Sequence, residues 1–597
     1  TTHTTVMALL DGTRTSPDPQ GEAYALLLAE YCRHYHRIMP FMFQPEGDYT
    51  ELLLPADLLA DTSVLTAAVT TLTPEVCHDV EVIGWLYQFY ISERKDEVFA
   101  GFKKNKKAGA TEIPAATQLF TPHWIVRYLV ENSLGRLWML NNPDSRLVEQ
   151  MDYYIPPVDV ETDFLRISSP EDIKIIDPAC GSGHMLTYAF DLLYSIYQEE
   201  GYAPSHIPEL ILSHNLYGTE IDPRAGALAA FALTMKASAK RKLFLKNPVE
   251  PNVCVLDPIL FGADELSYLV TKGGDRCAEE AFWNQFADAD TLGSLITPDL
   301  ALINYLARHL ETIDDDGDMY KADALDWARK VIRQAEFLEP RYAVVVANPP
   351  YMGAKNMGSS LAEFAKREFP RSKSDLFAAF IERSLTLGRS GSFAGLVTMH
   401  SSISLSTFEK LRDRRLSTTS VKGMAHLGTR AFDSIGGAVV ATTAFVLTNR
   451  PSASAGVYLR LVDGENEHEK SQLLLGAIAD PGSAIRFVRT NVWFRYVPGS
   501  LLSYWLSDAL VAAFAKGKPL AALTPPRNGL QTSDNGRFLR FWWEVSRDRT
   551  ALPLSTNIDL YGDRRWFPYN KGGEYRRWYG NQLHVVNWEK DGAEVRR

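Results

Sequence analysis

The sequence predicts an α/β fold around a sheet that is buried on both faces, and three stretches predict it. Tyr342-Ala343-Val344-Val345-Val346-Ala347 is an apolar run without alternation, the pattern of a central strand covered on both sides. Lys174 to Leu186 reads as a strand, a glycine-rich turn and a helix continuing to about Gln198, the opening of a βαβ unit. Asn215 to Pro223 gives a second strand that ends in an acid, before an Ala-rich helix starting near Arg224. Parallel sheets of this kind bind ligands beyond the carboxyl ends of their strands. All three segments therefore point at one expected site.

The elements follow in chain order. Residues 1–112 are expected to be helical, with apolar runs around Tyr24 to Met39 and Val80 to Ile91. Glu93-Arg94-Lys95 mimics half of a nuclease site, but no Pro-Asp partner on a strand precedes it and its surroundings are helical, so it reads as a chance match. Lys103-Lys104-Asn105-Lys106-Lys107 is a basic linker, either a phosphate contact or a solvated loop. Phe120-Thr121-Pro122 opens an amphipathic helix through about Trp138, with Thr121 placed to cap it and Pro122 in its first turn.

In the glycine turn, Gly181 and Gly183 let the backbone approach a ligand closely, and N–H groups at the following helix start favour an anionic group. Glu220, at the end of the second strand, is placed to hold a ribose diol with its two oxygens. Between Pro223 and Tyr342 the spacing exceeds that of a minimal unit, so an insertion is expected at about 258–335. The acidic run Asp314-Asp315-Asp316-Gly317-Asp318 lacks the terminal bidentate acid of a calcium loop, and no metal is expected. Beyond the apolar strand, Asn348-Pro349-Pro350-Tyr351 sets an amide and an aromatic ring on a loop stiffened by two prolines. Missing donors leave the Asn348 oxygen and nearby carbonyls as acceptors suited to an amino group. A plain Pro-Pro turn is the alternative.

These motifs, in this order, resemble the amino-methylating DNA methyltransferases of the γ class. The resemblance implies a Rossmann-like class I core with a mixed sheet and S-adenosylmethionine as cofactor. It implies cofactor binding by Phe120, Thr121 and Pro122, by Asp177, Pro178, Ala179, Gly181 and Gly183, and by Glu220 and Ile221. It also implies a third-strand acid, for which Asp257, after the short apolar strand Asn252 to Leu256, is preferred to Asp323 in its helical pattern. Asn348, Pro349, Pro350 and Tyr351 would be catalytic, and Tyr351 and Phe432 would cover a flipped adenine, Phe432 being otherwise a hydrophobic hairpin residue. Ala438 to Leu447 is expected to form the last hairpin of the sheet.

Ile113 to Pro122, Asn348 to Gly353 and Phe567-Pro568-Tyr569-Asn570-Lys571-Gly572-Gly573-Glu574-Tyr575 narrow the resemblance to the PglX (BrxX) family of BREX phage-exclusion systems, from about Glu81 onward. That resemblance implies site-specific adenine-N6 methylation of double-stranded DNA. It implies other BREX components and phage-encoded inhibitors as partners. The expected organisation is a helical region at 1–112, a methyltransferase domain at 113–497 and the start of a target-recognition domain at 498–597. In the last of these, arginines and aromatics interleave from Arg537 to Tyr579, as in a stacking surface for nucleic acid or a Trp-rich β core. The pattern runs to Arg597 while family members continue further, so much of the recognition surface is expected to lie outside this sequence.

Composition bounds these readings. A chain of 597 residues implies two or three domains. A formal charge of −11 argues against a general nucleic-acid coat protein but not against a DNA enzyme with local cations. Five cysteines without metal spacing suit reduced thiols, and Cys180, in the glycine turn, is not placed for covalent attack on cytosine. With no apolar run near the roughly 20 residues of a membrane span, a soluble bacterial cytoplasmic protein is expected. Two other readings share the motifs: methylation of an amino group in RNA or protein, and a DNA-recognition and assembly component with partner-dependent methylation.

Overall fold

The computed structural model of the chain describes all residues except 1, 56, 79–80, 316, 434–439, 526–528, 553–562 and 597. It divides into two units, Thr1–Ala515 and Lys516–Arg597. The first is built on nine strands: β1 Ile175–Asp177, β2 Leu216–Glu220, β3 Asn252–Val255, β4 Tyr342–Ala347, β5 Gly388–Met399, β6 Ser420–Gly428, β7 Thr442–Thr448, β8 Gly456–Arg460 and β9 Arg486–Arg489. Their order in the sheet is β3-β2-β1-β4-β5-β7-β6-β8-β9. The first five in that order run parallel. Strand β7 lies antiparallel between β5 and β6, β8 is parallel to β6, and β9 is antiparallel to β8. The sheet is therefore mixed, and β1 and β4 are the neighbours at which the strand order reverses.

All six residues of β4 are buried. Because side chains alternate along a strand, Val344 and Val346 join Ile175 and Leu216 in one core, whereas Val345 and Ala347 join Ile176 and Tyr217 in the other. Each buried valine contributes about 1.5–3 kcal/mol through burial alone. Helices His184–Glu199 and Pro223–Lys240 cover the first face through Phe190 and Leu233. Helices Met319–Phe337 and Leu376–Leu387 cover the second through Val331 and Phe377. The helix from Pro223 is capped by Asp222, which accepts from the Arg224 N–H at 3.0 Å. Small residues let it approach the sheet: a Cβ on Gly226 would stand 2.8 Å from Val255 Cγ2.

Several expectations need adjustment. Thr121 does not cap a helix. The helix starts at His123 with Pro122 in the cap position and no side-chain cap bond, then passes through a π turn at Glu131–Gly135 into Arg136–Asn141. The strand expected to close the sheet forms as β7, but β8 and β9 extend the sheet past β6, a long-range pairing that local pattern does not reveal. Ala438 and Val439 of that stretch, and Ser434 to Gly437 before it, lie outside the described residues. The expected insertion contains the helices Ala263–Leu269, Arg276–Trp283, Ala289–Leu292, Leu300–Leu310 and most of Met319–Phe337.

Before the sheet, the helices Thr2–Leu10, Pro19–His36, Val64–Thr71, Glu81–Tyr90 and Ser92–Lys103 make up most of the N-terminal region. The unit boundary at 515 lies beyond the change of composition at 498, because Leu502 and Tyr504 are buried in the second core. In the second unit, Leu539–Phe541, His584–Asn587 and Trp566–Tyr569 form an antiparallel sheet with His584–Asn587 in the middle. Among the described residues no helix is long and apolar enough to cross a membrane.

Candidate active site

Three strand ends build the site. Strand β1 finishes at Asp177, β2 at Glu220, and β4 delivers Asn348 immediately after Ala347. Register holds the ends side by side, with Asp177 opposite Gly218 and Ile176 opposite Val345. A cavity opens there, at the switch point where the sheet's strand order reverses. Of the expected residues, Phe120, Thr121, Asp177, Pro178, Ala179, Gly181, Glu220, Ile221, Asn348 and Pro350 line it.

The glycine turn holds its shape through backbone freedom. Gly181 and Gly183 have φ of +53° and +84°, in the left-handed region that disfavours side chains. Gly183 does not line the cavity. Its role is contact, since a Cβ there would lie 3.0 Å from Ala229 Cβ on the neighbouring helix. The Gly181 N–H donates to Glu220 Oε2 at 2.8 Å, and Glu220 Oε1 accepts from the N–H groups of Ile221 and Asp222 at 2.9 and 3.0 Å. Three of the carboxylate's roughly four acceptor positions are thus filled, and the one left is on Oε2. A diol seated on both oxygens would take the free position on Oε2 and share or replace one of the two bonds on Oε1.

Burial sets the protonation of the site. The Asp177 carboxyl, accepting only from its neighbour Ala179 at 3.1 Å among the bonds described, is pushed up to about 8, chiefly by loss of water and also by the negative Glu220. Glu220 is raised by burial as well, against the pull of its three N–H donors. Burial pushes the His184 imidazole down to about 3, so the ring is neutral at ordinary pH. The Cys180 thiol is driven well above its usual range, which keeps it protonated and unreactive.

Asn348 is oriented by the Leu119 carbonyl, a partner that only its amide nitrogen can satisfy. Its Nδ2 donates to the Leu119 carbonyl at 3.3 Å and to Thr121 Oγ1 at 3.1 Å. A carbonyl cannot donate, so the side-chain oxygen must face the other way. There the Tyr351 hydroxyl donates to it at 2.7 Å. This takes one of the two lone pairs on Oδ1. The Tyr351 ring is half-buried and lies edge-on to Phe377, with centroids 6.1 Å apart at 89°. Asp375 accepts from the Met352 N–H at 3.0 Å and pins the loop just beyond it.

Other expected residues fall elsewhere. Pro122 precedes the helix next to the cavity, and Pro349 is in the loop but not in the wall. Asp257 follows β3 but is exposed and outside the wall, its N–H held by Gln334 Oε1 at 2.5 Å. Asp323 is exposed on the helix Met319–Phe337. Phe432 is only 3% exposed and sits in the core with Leu427 and Ala431, so it offers no free face to a base.

Sequence reasoning missed a wall made by the insertion. Thr291, Leu292, Gly293, Ser294 and Leu295 line the cavity. Ser294 Oγ donates to the Pro178 carbonyl at 2.6 Å and pairs with Thr219 Oγ1 at 2.7 Å, tying the insertion to both strand ends. Gly293, with φ of +54°, would place a Cβ 3.0 Å from Ile221 Cγ2. Apart from the Gly-Ser pair, nothing in the local pattern marks this turn. Gln118 and His184 also line the cavity and stood inside the motif stretches without being singled out.

The family model of the Eco57I restriction-modification methylase matches residues 214–432, from the second strand through the Asn348 loop. The chain is 40% identical over 615 residues to the adenine-specific methyltransferase BrxX of Escherichia coli O9:H4 (strain HS), covering 97% of this chain and 50% of that protein. It is 35% identical over 612 residues to the adenine-specific methyltransferase PglX of Lacticaseibacillus casei (strain Zhang), again covering 97% of this chain and 50% of the relative. The chain thus spans about half the length of the curated relatives it matches. Among solved structures, the methyltransferase subunit of a type I restriction-modification system from Streptococcus thermophilus is similar with a TM-score of 0.40 at 12% identity, covering 84% of this chain and 78% of that one.

Proposed function

We propose, from the premise that this chain belongs to the family of its BrxX and PglX relatives over the half of those proteins that it spans, that it methylates the N6 amino group of adenine in double-stranded DNA. The methyl donor is S-adenosylmethionine, the setting a BREX anti-phage system in which host DNA is marked, and other BREX components and phage-encoded inhibitors are its partners. The observation that carries the reading is the Asn348 side chain, which lines the same cavity as Glu220 and is fixed through its nitrogen to Leu119 and Thr121, so that its oxygen is the acceptor.

The residues fit that cofactor. Glu220 offers a buried carboxylate to a diol, Gly181 clears space for a close approach, and Phe120 and His184 supply ring surface to the wall. Bound there, S-adenosylmethionine supplies an electrophilic methyl group on a sulfonium. Adenine inside a duplex hides its amino group, so the base must leave the stack, at about a few kcal/mol. The remaining lone pair on Asn348 Oδ1 then accepts from that amino group, together with the Pro349 carbonyl. Two such acceptors favour a pyramidal nitrogen whose lone pair is free to attack. Fixed dipoles and alignment do this without a strong base. Tyr351 stacks on the base, and its hydroxyl either shares Oδ1 or leaves it.

The test is Asn348→Ala in this protein with its partners present, on duplex DNA. Adenine methylation should vanish while cofactor affinity stays within a few fold, since the lost contact is to the target amine. Retained methylation would refute the role of Asn348. Methyl transfer to RNA or protein with DNA left unmodified would refute the assignment of substrate.

A further inference from the structure

The helix Glu81–Tyr90 supplies no residue to the cavity wall among those described, yet it holds three separate segments of that wall. Its backbone lies directly on the glycine turn: a Cβ on Gly84 would stand 2.7 Å from Ser182 Oγ and 2.8 Å from Phe120 Cε2. Trp85 packs on Phe120 with ring centroids 4.3 Å apart, and Phe120 packs on His184 at 4.2 Å, so three rings run from this helix into the cavity wall. Gln88 Oε1 accepts from the Phe120 N–H at 3.0 Å. Tyr87, 6% exposed, donates its hydroxyl to Asp222, whose own N–H donates to Glu220 Oε1 at 3.0 Å. Tyr87 and Ile91 also pack against Ala225 on the helix that Asp222 caps. One turn further on, Lys95 Nζ donates to the Gln118 carbonyl at 2.9 Å.

We infer that the helix Glu81–Tyr90 is a clasp on the cofactor pocket, and that Tyr87 and Gln88 are positioning residues through which the N-terminal helical region sets cofactor affinity. Tyr87 acts through Asp222 on the carboxylate of Glu220, and Gln88 acts through the backbone of Phe120. This inference rests on reading the cavity as the S-adenosylmethionine site. Its physical content is linkage. If the helix holds the segments that hold the ligand, the ligand must in turn hold the helix, by the same factor.

Two measurements on the 597-residue chain with S-adenosylhomocysteine as probe test it. Tyr87→Phe and Gln88→Met keep the bulk of each side chain and remove one polar group. Each should weaken the probe by roughly three- to thirtyfold, the range a lost hydrogen bond gives, with the ligand-free melting temperature unchanged. Amide hydrogen exchange over residues 81–90 of the unaltered chain should slow when the probe is added. Unchanged affinity in both variants, while Gly181→Val still loses the probe, would overturn the clasp and leave the cofactor reading intact. An affinity loss matched by a lower ligand-free melting temperature would overturn it too, as the mark of a merely structural role. If the unaltered chain does not bind the probe, both the cofactor reading and the clasp fail.

Discussion

Asn348 takes its meaning from Thr121 and Tyr351, two residues whose parts in the site differ from those that sequence patterns suggest. Thr121 reads as a helix cap, but its hydroxyl accepts from the Asn348 amide. Tyr351 reads as a stacking ring, but here its hydroxyl also donates to Asn348. Tyr351→Phe should therefore keep methylation, because the ring remains and Oδ1 gains a free lone pair. Tyr351→Ala should weaken target binding by about 1–3 kcal/mol, the worth of one stacked base. Equal losses in the two variants, measured as target affinity at fixed cofactor, would show that the hydroxyl matters more than the ring. Asp177 gives a pH test. Its carboxyl is raised from 3.8 to about 8, so the native chain holds that proton more tightly than the unfolded one. Its contribution to stability is full below about pH 4 and is lost as pH rises through about 8. Thermal unfolding across that window should show a shallower fall for Asp177→Asn than for the unaltered chain. Parallel curves would contradict the buried, protonated carboxyl.

Strand ends were the legible elements, because a buried parallel strand shows as an apolar run and its final polar residue shows as a break. That pattern located Asp177, Glu220 and Asn348 directly. Asp257 satisfied the same pattern at the end of β3, yet it is exposed and outside the wall, where the turn Thr291–Leu295 of the insertion supplies the lining. Such lining depends on contacts far apart in sequence, and no local periodicity encodes it. Phe432 failed for a related reason, since an aromatic near a hairpin looks the same whether it packs inward or stands free. The insertion's turn is held by Arg383, which is fully buried and donates to the carbonyls of Ser294, Ile296 and Leu338 at 2.6, 2.9 and 2.9 Å. Arg383→Met would leave three buried carbonyls without their donor. It should lower stability by about 2–5 kcal/mol and weaken cofactor binding through the displaced wall. Denaturant unfolding together with a probe titration checks this, and an unaffected affinity would show that the turn is held by other contacts.

At the scale of the whole molecule, the two units carry different chemistry. The cavity and all nine strands of the large sheet belong to Thr1–Ala515. Lys516–Arg597 exposes Trp542, Trp543, Tyr575, Trp578 and Tyr579, with the Arg577 guanidinium 5.3 Å from the Trp578 ring centroid. On the proposed function this surface contacts nucleic acid, and a chain of net charge −11 needs such a local patch to do so. A chain ending at Ala515 should keep cofactor affinity and lose salt-sensitive DNA binding. DNA titrations at two salt concentrations would decide, and equal DNA affinity with and without the second unit would place the contact surface in the first.

The central claim is that the cavity between β1, β2 and β4 is an S-adenosylmethionine site serving Asn348. It is tested most directly by calorimetric titration of the unaltered chain, Gly181→Val and Glu220→Ala with S-adenosylhomocysteine. The account predicts one site per chain, weakened by roughly 1–3 kcal/mol in each variant. No binding to the unaltered chain, or the same affinity in all three proteins, would contradict it.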